Sequence, residues 1–203
     1  MKRKLTFLML FMAFCSMISL GQNHWTPISG IENNMSITSV IKIDGVQQEN
    51  TNLELGAFLG NEVRGSAKVV HNVINLPGGI VIDAGYLVYL QIQGTTGESY
   101  TFKLYDHGSQ SELSLISNNT IEFDEDNGYS DSNPYVINFI TPVAEVNGTV
   151  YGSLDAAIAA ANANDEVKLL GDVTLSAELE ITKAININLN GNEINGTVKL
   201  ATV

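Results

Sequence analysis

The sequence predicts a mainly β protein in which an antiparallel β-sandwich is followed by a short helix and a solenoid that is cut short. Three observations predict this arrangement. Between positions 35 and 139, apolar and polar residues alternate with a period of two, and turn residues interrupt them at short intervals. An alanine-rich stretch with helical spacing follows. The remaining residues form very short apolar runs that Asn and Gly separate.

The first part is predicted to contain eight strands. They are 35–43, 53–59, 62–70, 86–93, 100–105, 113–116, 120–123 and 135–140. Asp44-Gly45 and Gly60-Asn61 tolerate positive φ and are typical of hairpin turns. The segment 72–85 is predicted to be a loop, because it contains Pro77-Gly78-Gly79. Strands 86–93 and 100–105 are predicted to form a hairpin across the Gly-rich segment 94–97.

Thr141-Pro142 marks a change of pattern, so the predicted units are 22–141 and 142–203. Ser153 is a good N-cap for a helix that runs to about Ala163. Its apolar stripe is Leu154, Ala157, Ile158 and Ala161. The short strands that follow are predicted at 167–170, 173–175, 179–181, 185–189 and 198–200.

These strands amount to two coils of a solenoid, and such repeats usually need at least ~3 coils to be stable. The helix before the first coil would cover its open apolar end. We therefore expect that the chain belongs to something longer, or that it pairs with another molecule.

The N-terminal residues 1–21 are predicted to be a signal peptide. A basic start, Lys2-Arg3-Lys4, precedes an apolar run at 5–20, and Ser19-Leu20-Gly21 offers small residues for cleavage after Gly21. The run of about 16 residues is shorter than the ~20 that span a bilayer. Cys15 lies inside the run after the bulky Phe14, which excludes a lipidation site. We expect a secreted or cell-surface protein without a membrane span after cleavage.

The composition excludes several functions. A net charge of −12 repels phosphate backbones, so nucleic acid is not an expected partner. Cys15 is the only cysteine, and His24, His71 and His107 show no zinc-ligand spacing. No Gly-x-Ser-x-Gly elbow and no phosphate-binding loop occurs. We therefore predict no catalytic residues and no enzymatic activity in this chain.

The predicted 86–105 hairpin supplies the candidate ligand site. Alternation directs Val88, Leu90 and Ile92 toward the core and Tyr89 and Gln91 outward. On the partner strand, the outward side chains include Lys103 and Tyr105. Aromatic rings among amide and ammonium donors suit sugar binding, because rings stack on C–H faces while polar groups hold hydroxyls. The alternative is that both tyrosines only strengthen cross-strand packing.

An acidic turn at 124–131 is a candidate for calcium binding. Asp124, Asp126 and Asp131 provide the hard oxygen ligands that calcium prefers around Gly128. The spacing differs from the twelve-residue calcium loop, and an ordinary acidic turn is the simpler interpretation. No other cofactor is expected.

The first part resembles a β-sandwich module of secreted surface proteins in Bacteroidetes-type bacteria, over residues 24–141. The resemblance depends on Trp25, Asn34-Met35-Ser36, Ile43-Asp44-Gly45-Val46, Leu53-Glu54-Leu55-Gly56-Ala57-Phe58, Glu62-Val63-Arg64-Gly65-Ser66, Phe102-Lys103-Leu104-Tyr105-Asp106 and Asn133-Pro134-Tyr135. Members of that family often carry cysteines where this chain has Leu59 and Val63, so the disulfide that the resemblance implies is absent here.

The second part resembles the N-terminal cap and first coils of right-handed, pectate-lyase-like parallel β-helices. The resemblance depends on the segment from Tyr151-Gly152-Ser153-Leu154 to Asn188-Leu189-Asn190-Gly191. It implies that the solenoid is the truncated start of a parallel β-helix. The family includes polysaccharide lyases, glycosidases and non-catalytic adhesins. Its catalytic residues lie on later coils, so none can be assigned to this chain.

The predicted function is non-catalytic binding or adhesion, and the expected partner is an extracellular glycan or a surface protein. One alternative is the N-terminal fragment of a polysaccharide lyase or glycosidase whose catalytic coils lie beyond residue 203. A second alternative is a structural spacer.

The signal peptide gives the first testable prediction. Export of the full chain from a bacterial host should yield a product that begins at Gln22, and mass spectrometry of the purified protein would show it. Gly21→Tyr should slow the cleavage, because the position before the cut accepts only small residues. An exported product that retains residues 1–21 would contradict the prediction.

Overall fold

The computed structural model describes residues 23–117 and 119–201. Strands account for 51% of the structure and helix accounts for 4%, which confirms the predicted mainly β class. The predicted signal peptide and its cleavage site lie outside the described residues. Within the described ranges, every helix is too short or too polar to span a bilayer.

Nineteen strands and one helix follow one another along the described chain. They are β1 (Asn34–Ile43), β2 (Val46–Gln47), β3 (Leu53–Leu59), β4 (Glu62–Lys68), β5 (Val70–Leu76), β6 (Ile80–Gln93), β7 (Ser99–Asp106), β8 (Ser111–Glu112), β9 (Ile116–Ser117), β10 (Ile121–Glu122), β11 (Tyr135–Ile140), β12 (Ala144–Val146), β13 (Thr149–Tyr151), α1 (Leu154–Ala160), β14 (Glu166–Leu169), β15 (Val173–Thr174), β16 (Leu179–Ile181), β17 (Asn186–Asn188), β18 (Ile194–Asn195) and β19 (Val198–Leu200).

The first eleven strands form two sheets. Sheet 1 has the order β5-β6-β1-β11-β9, with β2 beside β1, and sheet 2 has the order β10-β7-β3-β4, with β8 beside β7. Among the described strands of both sheets, β1 and β11 are the pair that departs from the antiparallel prediction, because they run parallel. A parallel pair needs a long crossover, and the chain between these two strands supplies it.

One hydrophobic core lies between the two sheets. The alternation places every second side chain of β1, β3, β7, β11 and the second half of β6 toward this core, as the sequence predicts. Sheet 1 contributes Met35, Ile37, Ile41, Val88, Leu90, Ile92, Ile137 and Phe139, and sheet 2 contributes Leu53, Leu55, Ala57, Tyr100, Phe102 and Leu104. Trp25 is also buried and meets the ring of Phe58 edge-on. The N-terminal segment thereby covers part of sheet 2 at β3.

The segment 72–85 is an extended hairpin, so the predicted loop is wrong. β5 pairs with the first half of β6 from Leu76↔Ile80 to Val70↔Leu87, and Pro77-Gly78-Gly79 is its turn. Both glycines of that turn have positive φ. A bulge at Ala84, between Asp83 and Gly85, shifts the register of this pairing. We call residues 70–82 the arm.

The predicted hairpin between 86–93 and 100–105 is also wrong, because β6 belongs to sheet 1 and β7 to sheet 2. The segment between them crosses from one sheet to the other. Buried Arg64 fastens this crossing, since its Nη1 lies 3.1 Å from Glu98 Oε2 and donates to the Gln93 carbonyl at 3.4 Å. Tyr100 donates its hydroxyl to the same Glu98 oxygen at 2.6 Å. Two strands of one hairpin and two strands of facing sheets show the same alternation, so the pattern could not separate them.

The second part begins with α1 and the strands around it. Ser153 caps the helix as predicted, because its hydroxyl accepts the Ala156 amide, but the helix ends at Ala160 rather than near Ala163. β12 and β13 form a hairpin that the sequence did not predict, and β12 also pairs antiparallel with β14.

Three further pairs in this part are parallel and stack two successive passes of the chain. β14 lies on β17, β15 on β18 and β16 on β19. A separate hydrophobic cluster fills the space that they and α1 enclose. It includes Leu154, Ala157, Ile158, Val167, Leu169, Leu179 and Ile181.

Lys183 donates its ammonium to the carbonyl oxygens of Ile158, Ala159 and Ala161, which provides hydrogen-bond donors for the C-terminal end of α1.

Close packing at Gly65 gives a second prediction. A Cβ at this position of β4 would overlap the backbone carbonyl oxygen of Gln91 in β6, where sheet 2 meets sheet 1. Gly65→Ala should therefore lower the free energy of unfolding by about 1–3 kcal/mol, measured by chemical denaturation. Gly171→Ala is the matched control, because a Cβ there meets open space at an ordinary φ. Equal stability of Gly65→Ala and the native protein would refute this close approach.

Candidate functional site

The four predicted ligand residues do not share one surface. Tyr89 and Gln91 lie on β6, on the outer face of sheet 1, whereas Lys103 and Tyr105 lie on β7 in sheet 2. Because the two sheets pack their inner faces together, their outer faces point in opposite directions. The predicted site of Tyr89, Gln91, Lys103 and Tyr105 is therefore not assembled, and the crossing between β6 and β7 is the reason.

Lys103 and Tyr105 are engaged with other parts of sheet 2. The Lys103 ammonium lies 3.0 Å from Glu112 and 5.1 Å from the centre of the Phe58 ring. Tyr105 stacks in parallel on His24, with 3.6 Å between ring centres. These contacts join β7 to β8 and to the N-terminal segment. Lys103 and Tyr105 thus both have a structural role in sheet 2.

Tyr89 has a different environment. Its side chain is 45% exposed, yet its hydroxyl is held from two sides. It donates to Asp131 Oδ2 at 2.9 Å and accepts from Asn72 Nδ2 at 2.7 Å, while Asn72 also donates to the same Asp131 oxygen at 2.9 Å. Partial burial and the neighbouring Asp131 carboxylate raise the pKa of Tyr89 above its ordinary value. An exposed ring is thus fixed in one orientation.

A groove of about 440 Å³ lies beside this ring. We call it the Tyr89 groove. Its polar lining residues are Ser36 and Thr38 of β1, Ser66 of β4, Tyr89 and Gln91 of β6, and Tyr129. Tyr129 comes from the loop between β10 and β11, which also carries Asp131. The groove therefore combines two aromatic rings with hydroxyl and amide groups.

The loop that carries Tyr129 is tied to β1. Asn127 donates its side-chain amide to the Ser36 carbonyl at 3.1 Å and accepts the Tyr129 amide at 3.0 Å. The Tyr129 ring packs against Tyr135 of β11, with 5.0 Å between ring centres. Side-chain contacts within the protein thus set the position of the second aromatic ring.

The acidic turn does not bring its three aspartates together. Asp124 accepts the backbone amide of Asp126 at 3.0 Å, which is an ordinary local turn bond. Asp131 is engaged instead by Tyr89 and Asn72. Within the described ranges, no three His, Cys, Asp or Glu side chains lie close enough to hold a metal ion. The three predicted ligands Asp124, Asp126 and Asp131 are therefore not gathered into one cluster, because Asp131 is held by Tyr89 and Asn72, and calcium binding by this turn stays a prediction.

A second polar cluster surrounds Glu54, whose carboxylate is completely buried in β3. One of its oxygens accepts the Ser66 hydroxyl and the Trp25 amide. The other accepts the His24 amide at 2.6 Å and lies 2.6 Å from His107 Nε2. Burial raises the pKa of Glu54, but the hydrogen bonds from Ser66, His24, Trp25 and His107 outweigh it and hold the pKa below its ordinary value. The cluster binds the N-terminal segment to sheet 2.

The Glu54 cluster and the Tyr89 groove differ in the interactions that they can make with a ligand. Every oxygen of Glu54 is engaged by protein donors away from the surface, so this cluster holds the fold together. The Tyr89 groove is open and offers uncharged donors and aromatic faces, which suits non-covalent recognition of a neutral polar ligand. No protein-family model, curated protein or solved structure matches this chain.

Sequence reasoning found two residues of the groove, Tyr89 and Gln91, by their outward position on a strand. It missed Asn72, which lay in the predicted loop, and it missed Ser36 and Thr38. Tyr129 follows a run of acidic residues, and no spacing links it to Tyr89. The one available signal was an aromatic residue in a polar loop, since loops commonly carry binding residues.

The Glu54 cluster gives a third prediction. Because the folded-state pKa of Glu54 is lowered, its contribution to stability is present above the unfolded value of about 4.5 and is lost as the pH falls through the folded value. Glu54→Gln should lower the free energy of unfolding at pH 7 by about 1–3 kcal/mol, and this difference should shrink at acid pH.

Urea unfolding between neutral and acid pH would measure both effects. Glu112→Gln is the control, because Glu112 forms an exposed ion pair and should change stability little. A stability difference between Glu54→Gln and the native protein that does not vary with pH would contradict the prediction.

Proposed function

We propose that this chain is a non-catalytic, secreted or cell-surface binding protein that recognises extracellular glycan through the Tyr89 groove. The observation that carries the proposal is the Tyr89 ring, which is exposed to solvent while Asp131 and Asn72 hold its hydroxyl in place. A side chain that is ordered before binding loses little conformational freedom when a ligand arrives.

The chemistry of the groove supports a sugar as the ligand. Sugars present C–H faces that stack on aromatic rings and hydroxyls that need donors and acceptors. Tyr89 and Tyr129 supply the rings, while Ser36 and Gln91 supply exposed polar groups on the same surface. The groove carries no cationic side chain among these residues, so it favours neutral sugars over sulfated or phosphorylated ones.

The proposal includes a finer description of the fold. The two sheets with their shared core support a β-sandwich module, and the stacked parallel strands of the second part support the opening of a parallel β-helix. Glu166 pairs with Asn186, Val173 with Ile194 and Leu179 with Val198. The passes therefore repeat after about 20 residues, a spacing typical of solenoids. α1 packs at the start of the first pass and would cap it.

An extracellular location agrees with the features of residues 1–21 and with the acidic composition. A strong negative net charge favours solubility and suppresses non-specific contact with anionic surfaces. The β-sandwich resemblance also points to secreted surface proteins. We accordingly propose that the groove faces the medium and that the protein acts outside the cell.

Binding of the exported protein to a glycan array tests the proposal. Tyr89→Ala and Tyr129→Ala should each weaken binding to the selected glycan by about tenfold or more, measured by titration calorimetry. Tyr89→Phe keeps the ring and loses the hydroxyl bonds, so its effect should be smaller. Lys103→Ala is the matched control, because Lys103 is an exposed residue of the opposite sheet.

Absence of binding by the native protein to every glycan would refute the proposal. An equal loss with Lys103→Ala would refute the location of the site. Hydrolysis or elimination of a polysaccharide by the purified protein would refute the non-catalytic assignment. Folding of each variant would be checked by circular dichroism and thermal unfolding.

A further inference from the structure

The arm exposes apolar side chains on both of its faces. Val73 and Ile74 are successive residues of β5, and Val81 and Ile82 are successive residues of β6, so each pair points to opposite sides of the hairpin. All four are exposed, Val81 to 61%, and none belongs to the core between the sheets. The arm therefore extends past the core, and its apolar surface faces solvent.

The outer edge of the arm is open for strand pairing. β5 is the terminal strand of sheet 1, and its pairing partner within the described residues is β6 alone. Exposed edges are normally protected by charged side chains, by proline or by very short strands. β5 is seven residues long, and no Asp, Glu, Lys or Arg occurs between Lys68 and Asp83. This edge lacks the usual protection against pairing.

The distribution of charge indicates the partner. Two copies of a chain with a net charge of −12 repel each other over most of their surface. Apart from His71, which lies 2.9 Å from Asp83 at the base of the arm, the arm has no ionisable side chain, so two copies can approach there without that penalty. The arm offers no lysine or arginine for the anionic head groups of a membrane, and the acidic chain would be repelled from such a surface. A second copy therefore fits the arm better than a lipid surface does.

We propose that two copies of the chain associate through the arm, with β5 pairing antiparallel to β5 of the second copy about a twofold axis. Antiparallel pairing of a strand with itself is self-complementary, as a twofold interface requires. It joins the two copies of sheet 1 into one continuous sheet. It satisfies the free backbone groups of both edges and covers Val73 and Ile74 with their equivalents.

Sedimentation velocity of the exported full-length product over a range of concentrations tests this proposal. The native protein should show a monomer–dimer equilibrium. The double variant Val73→Lys/Ile74→Lys should weaken association by at least about tenfold, because two like charges would face their equivalents across the axis. Val150→Lys is the matched control, since Val150 is an exposed apolar residue on a strand of the second part, and it should associate like the native protein.

A second measurement does not depend on the lysine variant. Ile74→Cys should form a disulfide-linked dimer under mild oxidation, because residues near a twofold axis approach within disulfide distance, whereas Val150→Cys should not. A native protein that stays monomeric at every concentration and an Ile74→Cys variant that does not cross-link would overturn the proposal. Lysine variants that associate as strongly as the native protein would also overturn it. Co-sedimentation of the native protein, but not of the lysine variant, with phosphatidylcholine vesicles would assign the arm to lipid instead.

Discussion

The burial of one face from each of two sheets in a single core is the constraint on which the first part of the molecule depends. Once alternate side chains of β1, β6 and β11 meet those of β3 and β7, the intervening side chains must point outward. Tyr89 and Gln91 reach the surface for this reason alone. The same constraint explains the arm, since a hairpin that extends past the facing sheet has nothing against which to bury either face.

Two polar clusters hold this arrangement at its edges. The Glu54 carboxylate joins β3 and β4 to the N-terminal segment and to His107, and the Arg64 guanidinium fastens the crossing from β6 to β7. A buried charge without partners is costly, and both Glu54 oxygens and both terminal nitrogens of Arg64 have hydrogen-bond partners, whereas the buried Arg64 Nε has none among the described residues. Both clusters connect segments that are far apart in sequence. They therefore reinforce long-range contacts that strand propensity alone would leave weak.

The sequence predicted most strands of the first part because period-two alternation and Gly or Asn turns are local signals. β1, β3 and β11 lie close to their predicted bounds. The sequence did not predict which sheet each strand joins. Alternation shows that one face of a strand is buried, but it does not identify the strand or sheet that covers this face. The misplaced hairpin between β6 and β7 is the direct consequence, and it separated the predicted site into two surfaces.

The missed arm has a different physical cause. Pro77-Gly78-Gly79 is compatible with a long loop and with a tight hairpin turn, and the flanking valines and isoleucines were compatible with either. In the second part, the capped helix and the short strands gave clear local signals. The β12–β13 hairpin had one local signal, the turn dipeptide Asn147-Gly148. Both residues have positive φ there, as a tight turn requires.

Asn72 connects the two surfaces that we propose to be functional. It lies in β5, at the base of the arm, and its side-chain amide donates to both Tyr89 and Asp131. The orientation of the Tyr89 ring thus depends on the position of an edge strand. Edge strands open locally more readily than central strands, because fewer backbone hydrogen bonds and apolar contacts hold them. Pairing of β5 with a second copy would add such bonds on its free side and would stiffen the donor that fixes Tyr89. Association through the arm and the order of the groove are therefore coupled through one amide group, although neither requires the other.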